Sequence, residues 1–222
     1  MARRPLLTRE SIAQAALNGL DAEGLDGLAM RSIARRLGVK APSLYNHVES
    51  QDEIITLVHD LVDSEIDLTT LDDPDWRRGL ASFARSYRAA FLRHPDAVPI
   101  VVRRPLVAQN AVGTYGAAAA ALVRAGVPID QVMAVLALLD FIVLGSAVDT
   151  FIDGFAVDPA DYDEDYPELG AAIRSTDRSS VDQVVFEHAL DLLLDDVESR
   201  LRPLQKVRAT RQRTPSGRVT AS

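Results

Sequence analysis

Apolar residues recur along this chain at three- and four-residue spacing, the signature of amphipathic helices. Ile12, Ala15, Ala16, Gly19 and Leu20 form one such face behind a Thr8 N-cap, and Gly24 stops it. A short helix is predicted over residues 30–37, closed by Gly38, and a second over 41–48. Ser50 and Glu53 form an S-x-x-E capping box ahead of Ile54, Ile55, Val58, Leu61, Val62 and Ile66. Beyond the polar break Asp72-Asp73-Pro74-Asp75, a helix carries Trp76, Leu80, Phe83, Ala84, Tyr87 and Phe91. It ends at His94, because a residue before proline disfavours helical geometry. A short segment reaches Pro105, and an Ala-rich helix then runs to Ala125, closed by Gly126 and Pro128. Helices over 129–152 and 181–201 flank an irregular acidic stretch. No segment alternates as a strand and no repeat is present, so the fold class is all-α.

Residues 132–148 are apolar almost throughout, which raises the question of a membrane span. A span needs about 20 such residues. Asp140 interrupts the run, Asp130 and Asp149 flank it, and no basic cluster marks one side. A helix buried in a globular body or an oligomer fits better, and no membrane is expected as a partner.

Composition narrows the class. The 222 residues include no Cys, are 47% hydrophobic and only 5% aromatic, so the core must be aliphatic. A disulfide scaffold and a Cys-ligated metal centre are excluded. The absence of Cys fits a reducing cytoplasm, and the basic N-terminus lacks the apolar stretch and cleavage site of a signal peptide. Charge is uneven. Residues 1–50 carry +2, residues 200–222 carry +7, and the middle supplies the rest of a net −8. An acidic body with basic ends suits a polyanion met by one end, or simply a solvated surface with a loose tail. The tail, residues 203–222, has no apolar face and is expected to be disordered.

Residues 8–51 read as one unit. Two short helices separated by about three residues, with Gly38 in the turn, give a helix-turn-helix layout. Ile33, Leu37, Val39, Leu44 and Val48, with Ile12, Leu20 and Leu28, supply a small three-helix core. If Leu44 and Val48 point inward, Pro42 and Asn46 lie outermost, with Ser43, Tyr45 and His47 on the flanks. These side chains suit phosphates, base edges and thymine methyls better than plain solvent. Arg31 and Lys40 add charge where a DNA backbone would pass, and a helix N-terminus favours phosphate. The competing reading is an ordinary helical subdomain.

The run Arg31-Ser32-Ile33-Ala34-Arg35-Arg36-Leu37-Gly38-Val39-Lys40-Ala41-Pro42-Ser43-Leu44-Tyr45-Asn46-His47-Val48 resembles the DNA-binding motif of TetR-family transcriptional regulators. Arg104-Pro105 and the stretch from Phe186 to Leu194 resemble the tetracycline-repressor branch of the C-terminal domain. The resemblance implies an all-helical homodimer, a palindromic double-stranded operator and a body that binds a small-molecule effector. It puts DNA contacts on Arg31, Ala41, Pro42, Ser43, Tyr45 and His47. Ala41 cannot hydrogen-bond a base, and Gln51 stands where the family often has Lys. Three domains follow: 1–50 for DNA, 51–202 for ligand and dimer, and 203–222 as a basic tail.

The body offers candidates for both tasks. The helix over 181–201 has two apolar stripes, Val181–Val185–His188–Leu192 and Phe186–Leu190–Leu193–Val197–Leu201. One can face its own core and the other a partner, with Leu136, Val143, Phe186, Leu190, Leu193 and Val197 expected at the interface. A single-chain core using both stripes is the alternative. Phe83, Tyr87, Phe91, Val101 and Tyr115 are candidate pocket residues or plain core. Arg103 and Arg104 are either anchors for an anionic ligand or surface charges. Where tetracycline repressors place drug and magnesium ligands, this chain has Ile100, Val101 and Arg103, and His59, His94 and His188 form no metal set. No metal or other cofactor is expected. The loop Asp161, Asp163, Asp165 has Tyr166 and Ala172 where a calcium loop needs Gly and Glu. No catalytic set is recognisable, so a ligand-released repressor is the expected function and the protein is not expected to be an enzyme. The alternative is a small helical enzyme or ligand-binding protein with a basic arm.

Overall fold

A computed structural model describes residues 7–148, 154–155, 158–162 and 164–212, with side chains as far as Leu201. Ten α-helices and no strand occur among the described residues: α1 (Arg9–Glu23), α2 (Met30–Leu37), α3 (Ala41–Leu44), α4 (Gln51–Asp63), α5 (Trp76–Arg93), α6 (Val98–Val101), α7 (Gln109–Ala125), α8 (Ile129–Val148), α9 (Pro167–Ser175) and α10 (Val181–Gln212).

The helix starts follow local chemistry. Thr8 and Ser11 make a reciprocal capping box on α1. Ser50 Oγ accepts from the Glu53 N–H at 3.1 Å, but Glu53 reaches back to the Glu49 N–H at 2.5 Å, so the expected box at α4 closes one residue early. Gly38 ends α2 at φ 66°, a left-handed turn that aims α3 across α2. Gly19 and Gly27 face each other so closely that a Cβ on Gly27 would stand 2.0 Å from the Gly19 carbonyl oxygen. Only glycine permits α1 and the turn Gly24–Leu28 to meet there.

Ile12, Ala16, Leu20, Leu28, Ile33, Leu44 and Val48 close a small core around α1–α3. The first helical half of α4, through Ile54 and Val58, joins this core to the body. In the body, α5 packs against α8, α8 against α10, and α7 against α4 and α8. Phe83, Phe91, Leu122, Leu139, Phe186 and Leu190 are the bulky residues at its centre.

Two expectations change. Helix α10 runs to Gln212, so residues 203–212, expected to be disordered, are helical; Leu, Gln, Lys, Arg and Ala are strong helix formers. Residues 213–222 and the end of the 129–152 helix lie outside the described residues. The acidic stretch contains α9, a short helix whose buried side is no more than Gly170 and Ile173, too little for a periodic signal.

Candidate DNA-reading helix and ligand cavity

Helix α3 is shorter than the expected 41–48. Its regular part ends at Leu44, and Tyr45, Asn46 and His47 form a turn that continues it. The N–H groups of His47 and Val48 donate to the Leu44 carbonyl at 2.9 and 3.1 Å. Pro42, Ser43, Asn46 and His47 are poor helix formers, and no side chain caps the helix at Lys40. The orientation nevertheless follows the expectation. Leu44 and Val48 are buried, which contributes about 1.5–3 kcal/mol each. Pro42, Tyr45 and Asn46 are exposed, and Ala41, Ser43 and His47 half-exposed. Arg31 and Lys40 stand exposed beside them. Arg35 and Arg36 differ: both pair with Glu23, which also accepts from Ser32 Oγ at 2.9 Å. They hold α2 to α1, and those hydrogen bonds and charges keep the Glu23 carboxyl below its usual range.

The second candidate site is a cavity of about 490 Å³ between α4, α5, α6, α7 and α8. Phe91, Val98, Val101 and Leu144 give it apolar walls. Its polar end gathers His59, Tyr87, Tyr115 and Asp140. Asp140 accepts from the Tyr87 hydroxyl at 3.1 Å through one carboxylate oxygen and from the Tyr115 hydroxyl through the other. Burial pushes its carboxyl up, and the two phenols pull it back. Burial also holds both phenols up, Tyr115 well above its ordinary value, and lowers His59. Asp63, one turn after His59, has a side chain only 4% exposed. Its Oδ2 accepts no hydrogen bond, although His59 Nε2 lies 3.3 Å away. Desolvation, then the charges of Asp60 and Asp140, raise its pKa to about 7.

Of the expected ligand residues, Tyr87, Phe91, Val101, Arg104 and Tyr115 line this cavity. Phe83 is in the core below it, its ring 5.9 Å from that of Tyr87. Arg103 lies outside the lining, exposed. The sequence reading missed His59 and Asp63 because they sit on what reads as a plain amphipathic helix. Asp140 carried a signal, a lone carboxylate in an apolar run, which served only to argue against a membrane span. Among the described residues no group of three His, Cys, Asp or Glu could hold a metal ion.

The interface residues need correction. Leu136, Val143, Phe186, Leu190, Leu193 and Val197 are all 5% exposed or less and form the chain's own core. The opposite faces are bare: Met133, Leu138 and Phe141 on α8, and Val184, Val185 and Leu192 on α10. The two stripes of α10 are real but exchange roles, because the heavier one fills the core. Helix α8 is likewise not buried all round, and it remains the one helix among the described residues long and apolar enough to cross a membrane. Its outward apolar face continues into a groove of about 460 Å³ between α8 and α10, lined by Ile142, Gly145, Val185 and Ala189 among others.

Residues 69–201 match the family described as tetracycline repressor-like, C-terminal domain. The chain belongs to the TetR family. An HTH-type transcriptional regulator of Saccharopolyspora erythraea is 37% identical over 143 residues, covering 64% of this chain and 61% of that protein. The chain thus spans about three-fifths of that relative's length. The class A tetracycline repressor of transposon 1721 from Escherichia coli is 28% identical over 216 residues, 93% of this chain and 97% of the repressor. Among solved structures, the TetR family protein ActR of Streptomyces coelicolor, in complex with (S)-DNPA, superposes with a TM-score of 0.67 at 28% identity, covering 87% of this chain and all of ActR. Like other TetR-family chains, this one is all-helical, and its relatives are regulators by name, not enzymes.

Proposed function

We propose that this TetR-family chain is a transcriptional repressor that binds a palindromic operator as a homodimer and is released by a small-molecule effector. The observation that carries the reading is the outward set Tyr45, Asn46 and His47 over a buried Leu44 and Val48, flanked by exposed Arg31 and Lys40. Exposed side chains of this kind hydrogen-bond base edges and phosphates and pack on thymine methyls. Two such helices must reach successive major grooves about 34–36 Å apart, which requires a dimer. The bare apolar faces of α8 and α10 support a four-helix interface between two copies. The protein then acts in the cytoplasm, where it meets DNA. The name of the ActR complex, and the cavity here, support effector binding.

Helix α4 supports a mechanism. Its N-terminal part packs on the DNA module while His59 forms part of the cavity wall. Asp52 pairs with Arg104 at 2.8 Å and Asp60 accepts from the Asn110 N–H at 2.7 Å, so both cavity-side segments grip α4. An effector that rearranges the wall tilts α4 and changes the spacing of the two recognition helices.

Selection of bound duplexes from a random DNA library tests this. Recovery of a two-fold symmetric sequence with half-sites one helical turn apart, bound by two copies, is expected. Enrichment of no sequence over the library would sink the reading.

A further inference from the structure

The cavity carries a carboxyl, Asp140, that its apolar walls do not explain. Asp140 uses one acceptor position on each oxygen for Tyr87 and Tyr115, and a carboxylate has about four such positions. Behind His59, buried Asp63 makes no hydrogen bond through Oδ2 and has only His59 Nε2 beside it, 3.3 Å away. Asp63 is not in the lining, and its charge acts on Asp140, Tyr87 and Tyr115 from behind the wall. Among the described residues, no lysine or arginine pairs with either carboxyl. Arg104, the one lysine or arginine in the lining among the described residues, is turned to Asp52. Arg88, on the far side of α5, is committed to Ser146 at 3.0 Å and Gln183 at 2.6 Å and stacks on Phe186. A purely structural Asp–Tyr–Tyr triad would have no need of a cavity beside it, yet all three side chains line one.

We infer that the cavity selects an apolar, ring-bearing ligand with a protonated amine, held against Asp140 and flanked by the Tyr87 and Tyr115 rings. Of the two readings the sequence leaves open for Arg103 and Arg104, anchors for an anionic ligand or surface charges, this inference takes the second. This rests on the reading of the body as an effector domain. A cavity of this size suits a small organic ligand, and aromatic rings favour a cation at their faces. A charge-assisted hydrogen bond to a carboxylate in a dry site also discriminates strongly between an amine and an acid of the same shape.

Matched probes test it on the full chain: 1-naphthylmethylamine and 1-naphthoate, titrated calorimetrically near neutral pH. The amine is expected to bind about tenfold or more tighter than the carboxylate, which is about 1.4 kcal/mol. Asp140→Asn is expected to remove that preference while helicity and affinity for the selected duplex stay unchanged. The wild-type comparison stands even if the variant fails to fold. Equal binding of both probes, preference for naphthoate, or no amine binding by protein that still binds its duplex would overturn the inference while leaving the repressor reading intact. Loss of duplex selection alone, with amine preference kept, strikes the other reading.

Discussion

Asp63 and Tyr45 show how far single side chains can be read from their surroundings. Asp63 is nearly sealed from solvent with an unsatisfied oxygen, and its pKa stands at about 7 against an ordinary 3.8. The folded state therefore binds a proton more readily than the unfolded chain between about pH 4 and 7. This group's contribution to stability is greatest below that window and is lost as pH rises through 7. Asp63→Asn is expected to stabilise the protein by about 1–2 kcal/mol at pH 8 and by much less at pH 5. Urea unfolding at the two pH values measures the gap, and an equal gap at both would refute the assignment. Tyr45 is the opposite case, 57% exposed. Tyr45→Ala should change stability by under about 0.5 kcal/mol. It should weaken binding to the selected duplex by about 1–3 kcal/mol, read by mobility shift. Unchanged duplex affinity would remove α3 from the DNA interface.

Among the elements, α8 and α10 carry the proposed dimer interface. Adjacent residues of α10 face opposite ways, Leu193 into the core at 5% exposed and Leu192 outward at 57%. Leu192→Arg is expected to give a folded monomer in sedimentation, with helicity retained. Leu193→Arg should instead lose its thermal transition, because an unpaired charge in the core costs several kcal/mol. A dimeric Leu192→Arg protein would move the interface elsewhere. Much of this architecture was legible from spacing alone. Thr8, Gly24, Gly38, Gly126 and the His94-Pro95 step mark helix ends where the sequence places them, because caps and stops act within one turn of chain. The inward turn of Leu44 and Val48 was legible for the same reason. What escaped depends on the third dimension. Two apolar stripes on one helix look alike until the volume of Phe186 and Leu190 is set against α5 and α8. The cavity's polar end draws His59, Tyr87, Tyr115 and Asp140 from four helices, and no spacing along the chain announces that meeting.

For the whole molecule, the proposed release of DNA by a ligand requires that the cavity and the proposed DNA module, which share no side chain, oppose one another. Helix α4 is one link. A second is a cluster at its far end, where His94 Nδ1 lies 2.9 Å from Asp21 on α1 and Nε2 3.2 Å from Glu65, just beyond α4. Arg93 pairs with the same Glu65. The C-terminal end of α5, whose Tyr87 and Phe91 line the cavity, is thereby clasped to α1 of the DNA module. Such clusters add little to stability when half-exposed, so their weight falls on relative position. Ligand and DNA can oppose each other only by the difference in how each binds the two arrangements, typically about 1–3 kcal/mol in total. If the clasp carries part of that, His94→Ala should leave duplex affinity without ligand within about twofold and amine affinity near wild type. The loss of duplex affinity on adding saturating 1-naphthylmethylamine should fall by about threefold or more, on the order of 0.7 kcal/mol. An unaltered effect of the amine in His94→Ala would leave the coupling to α4 alone. Asp52→Asn, which frees Arg104 from α4, would then be the variant in which the amine no longer weakens the duplex.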